Sequence, residues 1–132
     1  MNDERRMTND GKISAFTDLK AWQEAHKLVL SLYESTRAFP KEELYGLTSQ
    51  IRRAGVSVTS NIAEGFARDS LADKARFYTI AHASISEIFA QLLIARDIGY
   101  IDVLSYAELE KQGNLTYRLL GGLIRSTKER ML

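Results

Sequence analysis

Cysteine is absent from the 132 residues. That excludes a disulfide framework, a thiolate nucleophile and a Cys-type zinc site. Proline occurs once, at Pro40, so long helices can run unbroken on either side of it. The net charge is only +1. Total charge therefore does not announce a nucleic-acid binder, and any such reading must rest on where the charges sit. The opening stretch MNDERRMTNDGKISAF has no apolar core of the kind a signal peptide needs. No stretch approaches the roughly 18 uncharged apolar residues of a membrane span. The expectation is a cytoplasmic protein with no membrane partner.

The sequence is rich in helical periodicity. Hydrophobic residues make up 45% and charged residues 27%, a normal globular balance, and the length suits one domain. Residues 1–16 are polar and without periodicity, and are expected to form a flexible extension to a domain over 17–132. A first helix should begin near Leu19, capped by Thr17 or Asp18, and stop by Phe39, before Pro40. Trp22, His26, Val29, Tyr33 and Thr36 fall on one of its faces. A second helix fits Leu47 to about Phe66, with the stripe Leu47, Ile51, Ala54, Val58 and Ile62 and with Gly65 as a stop signal. Ser70 and Asp73 resemble a capping box for a third helix over about 71–98. Its seam is Tyr78, Ala81, Ile85, Ile88, Leu92 and Ala95, and Gly99 ends it. A fourth helix should start after Asp102, with apolar surface from Leu104, Leu109, Leu115, Leu119, Leu120, Leu123 and Ile124. No segment alternates as a strand does. These elements predict an all-α, antiparallel up-down-up-down four-helix bundle.

Three patterns bear on function. Gln50, Ser57, Asn61 and Glu64 line one face of the second helix, and Ser84, Glu87 and Gln91 do the same on the third. Polar groups beside a core need partners, so these two rows should face each other as a structural network. A ligand pocket and an oligomer interface are the competing readings. Basic residues form the second pattern. Arg52 and Arg53 are the only charges between Glu43 and Glu64, and Lys111, Arg118 and Arg125 repeat every seventh residue, with Lys128 one turn further. Seven residues is nearly two helical turns, so the three share a face that could meet phosphates. A solvated face with cations suited to the helix C-terminus is the alternative. Third, Gly113, Gly121 and Gly122 weaken an isolated helix by up to about 1 kcal/mol each. They suggest either close approach of another backbone or a break near Gly121.

Enzymatic signals are few. His26 and His82 lack metal-motif spacing, and no Glu-x-x-His pair for a di-iron site occurs. There is no nucleophile elbow and no Gly-rich phosphate loop. The expectation is a non-enzymatic protein without metal or cofactor.

Particular runs point to a family. Phe16-Thr17-Asp18-Leu19 leads into Trp22-Gln23-Glu24-Ala25. The stretch from Phe39-Pro40 to Gln50-Ile51-Arg52-Arg53-Ala54 continues as Ser57-Val58-Thr59-Ser60-Asn61-Ile62-Ala63-Glu64-Gly65. Ala83-Ser84, Glu87, Ile94-Ala95 and Gly99-Tyr100 follow. Over about residues 16–125 the chain resembles the four-helix bundle proteins encoded within intervening sequences of bacterial 23S ribosomal RNA genes. The accessory variability determinant of diversity-generating retroelements resembles the same family. Gly55 and Thr59 depart from the pattern, standing where a larger residue and often a proline are expected. The resemblance implies a homo-oligomeric ring, with a pentamer favoured, and a basic surface or channel for RNA or DNA. It also implies a possible protein partner such as a reverse transcriptase. Carried onto this chain, it makes Arg52, Arg53 and the cations of the fourth helix the phosphate-contact candidates, and leaves Asn61, Glu64, Ser84 and Glu87 as structural.

Overall fold

The computed structural model describes residues 12–132. Four helices account for most of them: α1, Lys20–Thr36; α2, Leu47–Ala67; α3, Leu71–Asp97; and α4, Val103–Glu129. Short 3₁₀ turns over Phe16–Asp18 and Lys41–Glu43 precede α1 and α2. Among the described residues there is no strand. α1 packs on α2 and α4, and α3 packs on α2 and α4, while the backbones of the diagonal pairs stay apart. With short connections between successive helices, that adjacency is the square of an antiparallel up-down-up-down bundle.

Helix ends follow local chemistry. The Ser70 hydroxyl accepts from Asp73 N at 3.1 Å, and the Asp102 carboxylate accepts from Ser105 N at 2.7 Å. Both satisfy first-turn donors that have no intrahelical partner. The hydrogen bond to Ser105 N holds the Asp102 carboxyl below its ordinary value. At the start of α2 the Glu43 Oε1 accepts from Leu47 N at 3.1 Å. Gly99 ends α3 with φ of +88°, and Tyr100 N closes back on Ala95 O at 2.8 Å. α1 behaves differently from the sequence expectation. It begins at Lys20, capped by neither Thr17 nor Asp18. Asp18 Oδ2 instead accepts from Ser14 N and Ala15 N, both at 3.0 Å, and so fixes the turn before the helix. Phe16 packs edge-on against Trp22 at 5.3 Å. The flexible extension expected over 1–16 lies mostly outside the described residues, and the described part is tied down from Ser14 onward.

The predicted stripes of α2 and α3 are the core. Ile51, Ala54, Val58 and Ile62 are buried against Tyr78, Ala81, Ile85, Ile88, Leu92 and Ala95. The α1 face is turned about one residue from the predicted one. Ala21, Ala25, Leu28 and Leu32 are buried, whereas His26 and Tyr33 are exposed. The small alanines let the neighbouring helices close on α1, and the bulky rings flank the seam. On α4, Leu109 and Leu120 are core, but Leu104 is 78% exposed. α4 runs without a break through Gly121. Two glycines record tight packing. A Cβ at Gly113 would sit 2.6 Å from the Phe89 ring, and one at Gly55 would sit 3.1 Å from Leu32. The departure at Gly55 is thus a close approach of α1 to α2, and Thr59 sits within an uninterrupted α2.

α3 also carries exposed apolar residues. Ile80, Ile94 and Ile98 point away from the core, with exposed Ala83 and Ala90 between them. Apolar on two sides, α3 is long and apolar enough by length and composition to cross a membrane, which the sequence reading did not anticipate. Its core-facing half packs against α2 and α4 as a bundle helix does.

Candidate nucleic-acid interface

The α4 cations lie where helical geometry puts them. The buried residues of α4 include Tyr106, Leu109, Gly113, Thr116 and Leu120. At about 100° per residue, Lys111, Arg118 and Arg125 fall on the opposite side of the helix. All three are exposed, and so is Lys128, which sits on the flank. The row from Lys111 to Arg125 spans about 21 Å at about 1.5 Å per residue. None of these four makes an ion pair among the described residues, whereas Arg37, Arg68, Arg76 and Arg96 are each paired with a nearby carboxylate. Four unneutralised cations along one helix attract a polyanion more strongly than the net charge of +1 suggests.

Arg52 and Arg53 part company. Arg52 turns toward α1, where its Nε donates to Thr36 Oγ1 at 2.9 Å and its Nη2 to the Tyr33 carbonyl at 3.4 Å. Its guanidinium also lies 4.7 Å above the Tyr33 ring. It closes the C-terminal end of α1 and is half-buried. Arg53 is exposed and has no hydrogen bond or ion pair among the described residues. Adjacent on the helix, they do opposite things. Arg52→Ala is expected to lower unfolding stability by about 1 kcal/mol, because it strips partners from Thr36 and Tyr33. Arg53→Ala should stay within about 0.5 kcal/mol of the parent. Paired urea titrations check this, and equal midpoints for the two variants would contradict the division.

The polar rows meet in part. Ser57 Oγ and Ser84 Oγ are 2.9 Å apart across α2 and α3, and Ser84 Oγ also donates to the Ile80 carbonyl at 3.1 Å. Asn61 Nδ2 donates to Ser57 O at 2.8 Å and to Ser57 Oγ at 3.1 Å. Glu64 is outside this cluster and pairs with Arg68 at 2.6 Å on the surface. Glu87 accepts from Gln91 Nε2 at 3.4 Å. Gln50 is exposed and makes no hydrogen bond among the described residues. Gln50 and Glu87 do converge, however, on a pocket of about 450 Å³ together with Tyr45, Ser49, Arg53 and Ser57. Tyr45 stands 94% exposed there. The sequence reading did not single it out, although an aromatic between two helical patterns, on neither stripe, was the available signal.

His82 marks a second contact at the edge of the α4 row. Its ring stacks on Tyr117 at 3.7 Å, and Nε2–H donates to the Tyr117 carbonyl at 3.1 Å. Burial lowers the His82 pKa, the Tyr117 carbonyl opposes that shift, and the charge of Arg125 adds to it. Among the described residues no group of three or more His, Asp or Glu side chains could hold a metal ion.

A family model described as 23S rRNA-intervening sequence protein matches residues 17–122. No curated protein matches the sequence. Among solved structures, similarity extends to a crystal structure from Bacteroides thetaiotaomicron, described as a protein with unknown function from the S23 ribosomal protein family. It superposes with a TM-score of 0.73 at 20% identity, covering 80% of this chain and 95% of that one. At that identity the likeness speaks to the fold alone.

Proposed function

Because the chain belongs to the 23S rRNA-intervening sequence protein family, matched over residues 17–122, we propose that it is a non-enzymatic, oligomeric protein that holds RNA or DNA by its phosphates along the outward face of α4. The row Lys111, Arg118 and Arg125 carries this reading, because it is exposed, without an ion pair among the described residues, and directed away from the core. Such a row meets regularly spaced phosphates without reading bases. The family description names 23S rRNA, which makes RNA the first polyanion to try. Ile80, Ala83, Ala90, Ile94 and Ile98 share one exposed face of α3, interrupted by Glu87, and that face supports assembly with copies of the same chain. In a ring each cation is repeated around the axis, and the fields add.

The test is absolute mass in solution followed by salt titration of binding to short RNA and DNA. The expected mass is a multiple of the 14.9 kDa protomer, with five copies favoured, and the expected affinity falls steeply with salt. The same apolar stripe also favours a second reading, in which the protein is a scaffold or accessory subunit for a neighbour-encoded enzyme such as a reverse transcriptase. An assembly indifferent to nucleic acid at low salt would overturn the first reading in favour of that one.

A further inference from the structure

A pocket opens between the start of α2 and the middle of α3, with Ser57 and the core residue Ala54 at its base. Its volume, about 450 Å³, is that of a small-ligand site. Tyr45 presents a ring 94% exposed, with no ring or hydrogen-bond contact among the described residues. Yet the connector that carries it is pinned. Glu43, two residues before, accepts from Tyr100 Oη at 2.8 Å and from Leu47 N at 3.1 Å, and Gly46 N donates to Glu43 O at 2.9 Å. The ring is therefore held out on a fixed support. Arg53, Ser49 and Gln50 line the same pocket with polar side chains that have no hydrogen bond among the described residues, and Glu87 adds a carboxylate with one long hydrogen bond.

That set of groups narrows the occupant. A phosphate alone suits Arg53 but is repelled by Glu87. A cationic side chain suits Glu87 but is repelled by Arg53. An unpaired nucleotide satisfies both, since its phosphate and its base edge carry opposite demands. We propose that this pocket takes one unstacked base of a single-stranded nucleic acid, stacked on Tyr45. Arg53 meets the adjacent phosphate, and Glu87 with Gln50 meets the hydrogen-bonding edge of the base. This rests on the phosphate-binding reading and adds a strand preference to it. Single strands are gripped by aromatic platforms beside cations, here Arg53 because the α4 row lies across the bundle from α2, whereas a duplex keeps its bases stacked and paired. A carboxylate only accepts hydrogen bonds, so Glu87 favours bases with an exocyclic amino group. Adenine has one, whereas the donor on uracil's pairing edge is an N3–H set between two carbonyl oxygens that repel a carboxylate.

The experiment is fluorescence anisotropy with labelled oligo(A), oligo(U) and a blunt-ended RNA duplex without a loop. Tyr45→Ala should weaken oligo(A) binding roughly 5- to 150-fold and leave the duplex unchanged. Tyr45→Phe keeps the stacking face and should stay within about twofold of the parent. Glu87→Gln should narrow the preference for oligo(A) over oligo(U). Thermal unfolding of each variant confirms that an exposed position has not altered the fold. Oligo(A) binding unchanged in Tyr45→Ala, or lost equally for single strand and duplex, overturns the pocket while leaving phosphate binding in place. A parent protein that binds none of the three probes overturns both.

Discussion

Replacing Lys111, Arg118 and Arg125 together by glutamate is expected to abolish measurable nucleic-acid binding while leaving the bundle folded. Non-specific association with a polyanion is driven mainly by release of condensed counterions. Each neutralised phosphate contributes about 0.9 to the slope of log affinity against log salt on duplex DNA, and about 0.7 on a single strand. Removing three cations per chain therefore flattens the slope by about 2.7 or 2.1, and more in an assembly that presents several chains to one strand. Reversing the charge adds repulsion, so affinity near physiological salt should fall at least about a hundredfold. The fold should tolerate the change, because the three side chains are exposed, opposite the core and free of ion pairs among the described residues. Exposed substitutions of this kind cost about 0.5 kcal/mol or less each. A triple variant with the parent's melting curve and the parent's salt slope would place the phosphate-binding surface elsewhere. Arg53 would then be the next position to test, but not Arg52, whose guanidinium is engaged with Thr36 and Tyr33.

That difference between neighbouring arginines shows where sequence reasoning stops. Periodicity located α2 and α3 well because their stripes carry large aliphatic residues on one side and polar ones beside them. It also brought Ser57 and Ser84 together, since both border the same seam. It could not separate Arg52 from Arg53, because partners for Arg52 lie on α1, 16 and 19 positions earlier in the chain. On α1 the large residues misled. Trp22, Val29 and Tyr33 read as a core face, yet the seam is made by Ala21, Ala25, Leu28 and Leu32. At this seam two alanines sit beside two fully buried leucines, and it is the aromatic rings that are displaced to the flanks. Gln50 and Glu64 share a face with Ser57 and Asn61, but spacing alone does not say how far from the seam the partner helix can reach. The α4 row was legible, since a seven-residue repeat keeps one side of any helix. Tyr45 stood out only as an aromatic on neither stripe, and its exposure was not legible because position in a connector has no period.

Glycine gives the largest expected effects on stability, and they have opposite signs at two positions. Gly65 reads as a stop signal, but α2 continues past it to Ala67. What requires glycine there is Tyr78. A Cβ at position 65 would lie 2.7 Å from Tyr78 Cε1, 2.8 Å from Cδ1 and 3.1 Å from Phe77 Cβ. Tyr78 is only 2% exposed, so its ring cannot swing aside. Overpacking of this kind costs about 1–3 kcal/mol, more than the up to about 1 kcal/mol that alanine gains in helix propensity. Gly65→Ala is therefore expected to destabilise the protein and lower the melting temperature, by about 4 °C per kcal/mol for a domain of this size. Gly122 lies between Arg118 and Arg125 in the chain, and the nearest atom to a Cβ there is Arg125 Nη2 at 3.8 Å. Nothing in the protomer needs that glycine, so Gly122→Ala should stabilise the fold by up to about 1 kcal/mol. Differential scanning calorimetry below and above the assembly concentration separates two explanations for its presence. If another subunit's backbone approaches this part of α4, Gly122→Ala will melt higher as a protomer and yet assemble less well. If the parent and the variant assemble alike, the glycine has no packing role, and the proposed contact between copies falls to other surfaces, of which the exposed face of α3 is the foremost.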